Sequence, residues 1–294
     1  MIRVISLIAL IALLAACDTE GVKTTNDETG QKKSDQPSER VGMDVKDSTK
    51  IDLEAKHDVV DEMTLSNGIT IKWFKHGNGA VVKDGDMINI DYKVYLEDGK
   101  LIDANSLKNL ASVPFMVGFQ MQPGWDFALR ELRLGDHVEV FLPYQLGRGE
   151  KGIKGVMPPK SNNIIKMHIM GLKEPDREID GTRVWMFAQN DQNTEVFGPN
   201  KRVAFHAYIS SPSHPLYYDS QQLNNPFNYG FGEPGLVPGL KKALNNAKRS
   251  DLMLVHVPSN QAYGSQGYLD YVKPNEDLFY RIMVLDVADN KPEN

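Results

Sequence analysis

Apolar and polar positions along this chain fall into two copies of one pattern. In the later copy, PFNYGFGEPGLVPGL (226–240) runs into KKALNNAKRSD (241–251). Phe227, Tyr229 and Phe231 alternate as in a short strand, and a Gly/Pro turn follows. Leu240, Ala243, Leu244 and Ala247 then recur at i, i+3, i+4 and i+7, with Lys and Asn on the other face, which predicts an amphipathic helix. The earlier copy, VPFMVGFQMQPGWDFALREL (113–132), repeats the design with Trp125, Ala128, Leu129 and Leu132, and Gly135 closes the helix.

The surroundings are duplicated as well. TLSNGITIKWF (64–74) carries an Asn-Gly turn between alternating residues, and Gly181–Phe187 mirrors Gly68–Phe74. Ile88, Ile90, Tyr92 and Val94 alternate in one predicted strand, and Val203, Phe205, Ala207 and Ile209 in its counterpart. A turn at Glu97–Lys100 leads to Leu101-Ile102-Asp103, whereas the longer SSPSHPLYYDS (210–220) leads to Tyr218-Asp219. HVEVFLP (137–143) and DLMLVHVP (251–258) are the strands after the helices. Two last strands place Ile165, Met167 and Ile169, and then Leu278, Tyr280, Ile282 and Val284, on one face. A domain-sized repeat predicts two tandem α+β domains, not a solenoid. Their predicted spans are 62–175 and 176–294, with a boundary near Lys173–Asp176.

The first 61 residues follow a different logic. Arg3, the apolar run Val4–Leu14 and Leu14-Ala15-Ala16-Cys17 make residues 1–16 a signal peptide, too short to span a bilayer. Cys17 stands at the cleavage site and is the sole cysteine. That arrangement resembles the lipobox of bacterial lipoproteins, which implies acylation of Cys17 and stable anchoring by two or more chains. Residues 17–61 are then the lipidated cysteine and a polar tether without aromatic residues, reaching about 35 Å as a flexible coil.

Bulk properties narrow the partners. The 294 residues are 41% hydrophobic, enough for two real cores. A net charge of −6 and no basic stripe argue against nucleic acid. Mean hydropathy of −0.39 excludes a polytopic membrane protein. GRGEKG (147–152) and GFGEPG (230–235) satisfy a nucleotide-loop spacing. The first runs into Pro158-Pro159, and Pro234 and Pro238 remove amides from the second. The seven histidines show no ligand spacing, so neither metal nor cofactor is expected.

The order strand, hairpin, LEDGKLID, strand, Pro-Gly turn, helix, strand, Pro…Tyr-Gly loop, strand resembles the FKBP-type peptidyl-prolyl cis-trans isomerase family, across roughly 62–174 and 180–288. The resemblance implies that in each domain a curved antiparallel sheet wraps one short helix, enclosing an aromatic-lined pocket for a proline ring. In the first domain it carries pocket roles to Tyr92, Asp103, Phe115, Met121, Trp125, Met157 and Met167. Ile102 stands at a usual phenylalanine, and Gly147-Arg148-Gly149 lacks the loop tyrosine. In the second domain it implies Tyr218, Asp219, Phe227, Leu236, Val237, Leu240, Tyr263, Val272 and Tyr280, with Ala207 at a usual tyrosine. Tyr263 or Tyr92 would hydrogen-bond a substrate carbonyl, and Asp219 or Asp103 would either interact with the twisted carbonyl or hold the pocket wall.

The function so implied is a lipid-anchored isomerase of the cell envelope that assists the folding of exported proteins through their proline-containing segments, on the periplasmic or surface face of an outer membrane. The alternative is a non-catalytic peptide-binding chaperone, or an accessory lipoprotein of envelope machinery like those of gliding motility. The second domain, which keeps the loop tyrosine, is the stronger candidate for an active pocket.

Overall fold

A computed structural model describes residues 51–119, 123–189, 194–215 and 217–290. Cys17, the leader and most of the tether lie outside the described residues, as does Met121. The chain forms two compact units. The first comprises residues up to Val82, Ile88–Phe115 and the stretch ending at Leu172. The second takes Lys173 onward and, from earlier in the chain, Lys83–Met87 and the stretch beginning at Met116.

In the first unit the strands are β1 (Asp61–Thr64), β2 (Thr70–Lys75), β3 (Met87–Leu96), β4 (Leu101–Ala104), β5 (Val113–Met116), β6 (His137–Leu142) and β7 (Asn163–Leu172). They form one antiparallel sheet in the order β1-β2-β6-β7-β3-β4, with β5 also on β3. In the second they are β8 (Arg177–Ile179), β9 (Thr182–Ala188), β10 (Lys201–Ser210), β11 (Tyr218–Asp219), β12 (Phe227–Gly230), β13 (Leu252–Val257) and β14 (Leu278–Asp289). Their order, β8-β9-β13-β14-β10-β11 with β12 on β10, is the first unit's order strand for strand. The α+β duplication read from the patterning is therefore a duplication of topology. In β3 the alternation of the sequence becomes an alternation of burial, with Ile88, Ile90, Tyr92 and Val94 inward.

Each unit has one short α-helix, α1 (Pro123–Leu129) and α2 (Pro238–Leu244). Both open on proline, whose missing N–H costs nothing at a first turn. Both end sooner than the apolar series predicts. Leu132 and Ala247 are buried but sit in tight turns beyond the helices, their amides bonded to Leu129 O at 3.0 Å and Leu244 O at 2.9 Å. After α2 the break is made by Asn245 and Asn246, the latter left-handed at φ 63°. Glycine follows the opening proline because α2 lies directly on the sheet. A Cβ at Gly239 would come within 2.4 Å of Val257 Cγ1 and 2.6 Å of Thr182 Oγ1. At Gly124 it would meet Leu142 Cδ1 at 2.1 Å.

The second unit's core joins Phe197, Val203, Phe205, Ile209 and Val284 to the buried side of α2, Leu240, Ala243 and Leu244. A smaller cluster in the same unit holds Met87, Met116, Phe119, Trp185 and Phe279. In the first unit, buried Asp136 ties its own turn together, accepting from Trp73 Nε1 at 3.0 Å, Arg133 N at 2.9 Å and Gly77 N at 2.6 Å. Asp251 does the same for Lys248 N at 2.8 Å in the second. These carboxylates are structural.

Candidate functional site

In the second unit the core opens at one end onto a set of half-buried aromatic groups: Tyr217, Tyr218, Phe227 and Tyr263, with Leu236 and Ala262. Beneath them Val237, Leu240, Val272 and Tyr280 are buried and form a floor. Phe227 on β12 stacks on Phe205 of β10, centroids 5.1 Å apart and rings 12° from parallel. Tyr218 leans on the same Phe227 at 5.5 Å. Tyr263 stacks on Tyr268 at 4.7 Å, and Tyr217 on Tyr271 at 5.7 Å. Burial pushes the phenols of Tyr217, Tyr263 and Tyr280 above their ordinary range, so all three stay protonated donors at neutral pH.

Asp219 is not part of this surface. It pairs with Tyr208 across the ladder, while its neighbour Tyr218 pairs with Ile209. Tyr208 also pairs with Arg281, so Asp219 lies on their face of the sheet, opposite Ile209 and Tyr280. Its Oδ1 instead accepts the amides of Gln221 at 3.0 Å and Gln222 at 3.1 Å, closing a turn. At Ala207 no phenol enters. The Ala207 amide is held by buried Ser220 Oγ at 2.9 Å.

In the first unit Trp125 of α1 lies between two rings, Phe115 stacked at 5.3 Å and Tyr92 edge-on at 5.6 Å. Tyr92 Oη donates to Asp103 Oδ2 at 2.8 Å. Asp103 pairs with Val94, an inward position, and so faces the site. Lys108, which sequence reasoning passed over, completes a closed triangle: its ammonium donates to Tyr92 Oη at 2.8 Å and to Asp103 Oδ1 at 2.7 Å. The Tyr92 phenol is pushed up, first by burial and then by Asp103. Met157 is buried. An open cleft of about 490 Å³ beside it is edged by Lys100, Lys151 and Lys154.

Registers give the equivalences between the units directly. Val140 pairs with Ile165, and Val255 with Tyr280, so the first unit's counterpart of Tyr280 is Ile165. Met167, taken from the sequence as that wall residue, pairs with Val138 and Tyr92 and corresponds to Ile282. The loops after β6 and β13 share one backbone. Gly149 and Gly152 have φ of 61° and 62°, Gly264 and Gly267 of 59° and 65°. Bridges Ile153–Met157 and Tyr268–Val272 close them alike. Arg148 therefore stands where Tyr263 stands.

Comparison with known proteins fits this geometry. The family model for FKBP-type peptidyl-prolyl cis-trans isomerase matches residues 79–170 and again 194–285, together more than half of the chain. The chain belongs to the FKBP-type peptidyl-prolyl cis-trans isomerase family. Human peptidyl-prolyl cis-trans isomerase FKBP10 is 22% identical over 206 residues, 70% of this chain and 35% of that protein. The outer membrane protein MIP of Legionella longbeachae is 30% identical over 112 residues, 38% of this chain and 47% of that protein. The isomerase FkpA of Escherichia coli K12 is 29% identical over 110 residues, 37% of this chain and 40% of that protein. The match thus spans less than half the length of each of these relatives. Among solved structures, the three FKBP domains of wheat FKBP73 align at 22% identity with a TM-score of 0.38, over 76% of this chain and 96% of that one.

The family resemblance read from motif order is thereby confirmed, and each family match contains one of the two aromatic sites. The two FKBP sites differ in their polar equipment. The second combines Tyr263 with Tyr217 over a floor of Val237, Leu240, Val272 and Tyr280, and its motif carboxylate, Asp219, lies on the other face of the sheet. The first has Tyr92 and Asp103 engaged by Lys108, with Arg148 in the loop. Among the described residues no group of acidic, His or Cys side chains is placed to hold a metal, and FKBP-type rotation of an amide requires none.

Proposed function

We propose that this chain is a peptidyl-prolyl cis-trans isomerase whose working pocket is that of the second unit. The observation that carries this reading is the Tyr263 hydroxyl, held protonated at the rim of a buried floor of Val237, Leu240, Val272 and Tyr280.

The chemistry asks little of the site. Rotation about an X-Pro bond faces a barrier of about 18–20 kcal/mol because the twisted amide loses conjugation. Unassisted, it takes tens to hundreds of seconds. A proline ring seated against Phe227 and Leu240 leaves water, and the twisted amide, being less polarised than either planar form, loses less on that transfer. Tyr263 donates to the substrate carbonyl. Binding the twisted state better than the planar ones is the whole of the catalysis.

The first unit supports a second reading, a pocket that binds prolyl segments and turns them over weakly. Its Tyr92 and Asp103 are already satisfied by Lys108, and its loop offers a guanidinium instead of a phenol. For the whole protein, the small-residue stretch ending at Cys17 supports lipid anchoring, and the polar tether supports a folded part held off the membrane. Similarity to a protein named for the outer membrane supports a place in the cell envelope, where exported proteins would be the substrates.

The test is a protease-coupled isomerisation assay on X-Pro peptides with the full chain, compared with Tyr263→Phe and Tyr92→Phe. The proposal expects catalysis that falls mainly with Tyr263→Phe. A wild-type chain no faster than the uncatalysed reaction removes the enzyme reading. A larger loss in Tyr92→Phe moves the working pocket to the first unit.

A further inference from the structure

The loops after β6 and β13 match in their glycines but not in their charges. The bridges Ile153–Met157 and Tyr268–Val272 set Lys151 against Gln266, Lys154 against Leu269 and Gly155 against Asp270. In the second unit the loop presents exposed Tyr268, Leu269 and Tyr271. In the first it borders the open cleft of about 490 Å³, which Ile153, Val156 and Met157 line and Lys100, Lys151 and Lys154 surround. All three lysines are exposed, and among the described residues none of their ammonium groups has an ion-pair or hydrogen-bond partner. The carboxylates nearest in sequence are engaged elsewhere. Glu150 pairs with Lys160 at 3.2 Å, Glu97 accepts from Asn162 Nδ2 at 3.1 Å, and Asp98 Oδ1 accepts the Lys100 amide at 2.9 Å. Met157 joins the cleft to the proline site. It is buried, takes a donation from Asn163 Nδ2 on its sulfur at 3.3 Å, and corresponds through its bridge to Val272 of the second unit's floor.

We propose that the first unit selects prolyl segments that carry carboxylates beside the proline, the chain flanking the ring running through this cleft with its Asp or Glu side chains among Lys100, Lys151 and Lys154. This inference rests on the reading of the first unit as a prolyl-binding pocket. Charge complementarity carries it. The chain has a net charge of −6, so three cations around one recess run against its average and attract the kind of segment that the molecule as a whole repels. The recess matters as much as the charge. An extended segment lies against Ile153, Val156 and Met157 while its carboxylates stay at the wet rim, where they lose little hydration. A flat anionic membrane surface reaches the lysines but leaves the apolar lining uncovered. The second unit, with Leu269 and Asp270 at the corresponding positions, has no such preference. One chain thereby serves two classes of prolyl segment.

The experiment titrates the full chain, in a Trp185→Phe background, with tryptophan-free peptides. Trp73 and Trp125, the remaining tryptophans, both belong to the first unit, and Trp125 stacks within its site, so fluorescence follows that pocket and not the second. Peptides of equal length are compared: one with glutamates on both sides of a Phe-Pro pair, one with glutamines in their place, and the glutamate peptide with alanine for proline. The glutamate peptide is expected to bind about ten-fold tighter than the glutamine peptide at low salt, the scale of a few exposed ion pairs. That advantage is expected to vanish at about 0.5 M salt. Lys100→Gln, Lys151→Gln and Lys154→Gln together must abolish it and leave the glutamine peptide's affinity unchanged, whereas the corresponding triple Lys→Glu variant must favour a lysine-flanked peptide. Equal affinity for the glutamate and glutamine peptides, or an advantage that survives the triple variant, overturns the inference and leaves the prolyl pocket standing. No binding of any peptide, or equal binding of the alanine peptide, removes the prolyl reading of the first unit and the inference with it. Binding to vesicles of anionic phospholipid that the triple Lys→Gln variant loses, and that the glutamate peptide does not compete away, assigns the lysines to a membrane surface instead. Should Trp185→Phe not fold, calorimetry on the unaltered chain measures the same affinity ratio.

Discussion

Acid should loosen the first unit through two buried imidazoles, His168 on β7 and, opposite it, His137. His137 on β6 is 2% exposed, its ring 4.5 Å from His57 and 5.1 Å from Phe74. Its Nε2 has no hydrogen-bond partner among the described residues. Burial first, and then the charges of His57, His168, Lys166 and Lys75, pull its pKa from 6.5 to about 4. The folded state therefore takes up a proton later than the unfolded chain as pH falls. The stability it contributes is complete above about 6.5 and is lost progressively down to about 4. At about 1.36 kcal/mol per pH unit the full gap is worth about 3 kcal/mol, of which about 2 kcal/mol is lost by pH 5. With a urea slope of about 2 kcal/mol per molar, that moves the first unit's midpoint down by about 1 M. The measurement is urea unfolding at pH 7 and pH 5 in a Trp185→Phe background, where Trp73 and Trp125, both in the first unit, are the remaining tryptophans. His137→Leu, similar in volume and free of the unpartnered nitrogen, should flatten this pH dependence. If that variant loses as much stability as its parent between pH 7 and pH 5, the reasoning is wrong.

Three further outcomes are expected. Asp219→Ala should change prolyl isomerisation less than two-fold while costing about 1 kcal/mol in the second unit's thermal unfolding, because its carboxylate closes a turn and faces away from the pocket; a ten-fold loss of rate would return it to the site. Lys108→Met should cost the first unit about 1–2 kcal/mol in denaturant unfolding, discounted because Asp103 keeps about a third of its side-chain surface in water. The same variant should raise the first pocket's affinity for prolyl peptides that carry a lysine beside the proline, as calorimetry can show. Gly239→Ala should destabilise the second unit by about 2 kcal/mol, since Val257 and the Thr182 hydroxyl leave no room for a methyl; an unchanged melting temperature would mean that α2 lifts off the sheet freely.

Much of the fold was legible because its signal is repeated. Alternation in β3 and β10, the Pro-Gly openings of α1 and α2 and the final strands each occur twice in the same order. Tyr92, Asp103, Phe115 and Trp125, whose roles came from the family resemblance, lie in contact around α1. What spacing could not convey was face. Asp103 and Asp219 hold the same place in a motif, yet the first unit's β3–β4 ladder shifts register between Val94 and Tyr95 and the two carboxylates emerge on opposite sides. A one-residue difference in register is enough to turn a side chain over. Met167 differs in another way: it shares a face with Ile165, and the ladder puts Ile165, two residues earlier, opposite Val140. Lys108 and Tyr217 were overlooked for another reason. Both come from the variable stretches around β4 and β11, where no periodicity applies and only tertiary contacts reveal that a side chain returns to the pocket. A lysine five residues after a motif carboxylate, as in Asp103…Lys108, is the one local hint the sequence held.

The matching loops after β6 and β13 have a consequence for how such a protein can change. Gly149 and Gly152, like Gly264 and Gly267, hold the left-handed turns, so the residue before the first of each pair, Arg148 or Tyr263, carries none of that left-handed shape. It behaves as a socket. Evolution, or an experimenter, can exchange Arg148 for tyrosine without redrawing the backbone, and can thereby give one copy a new chemistry while its twin keeps the old.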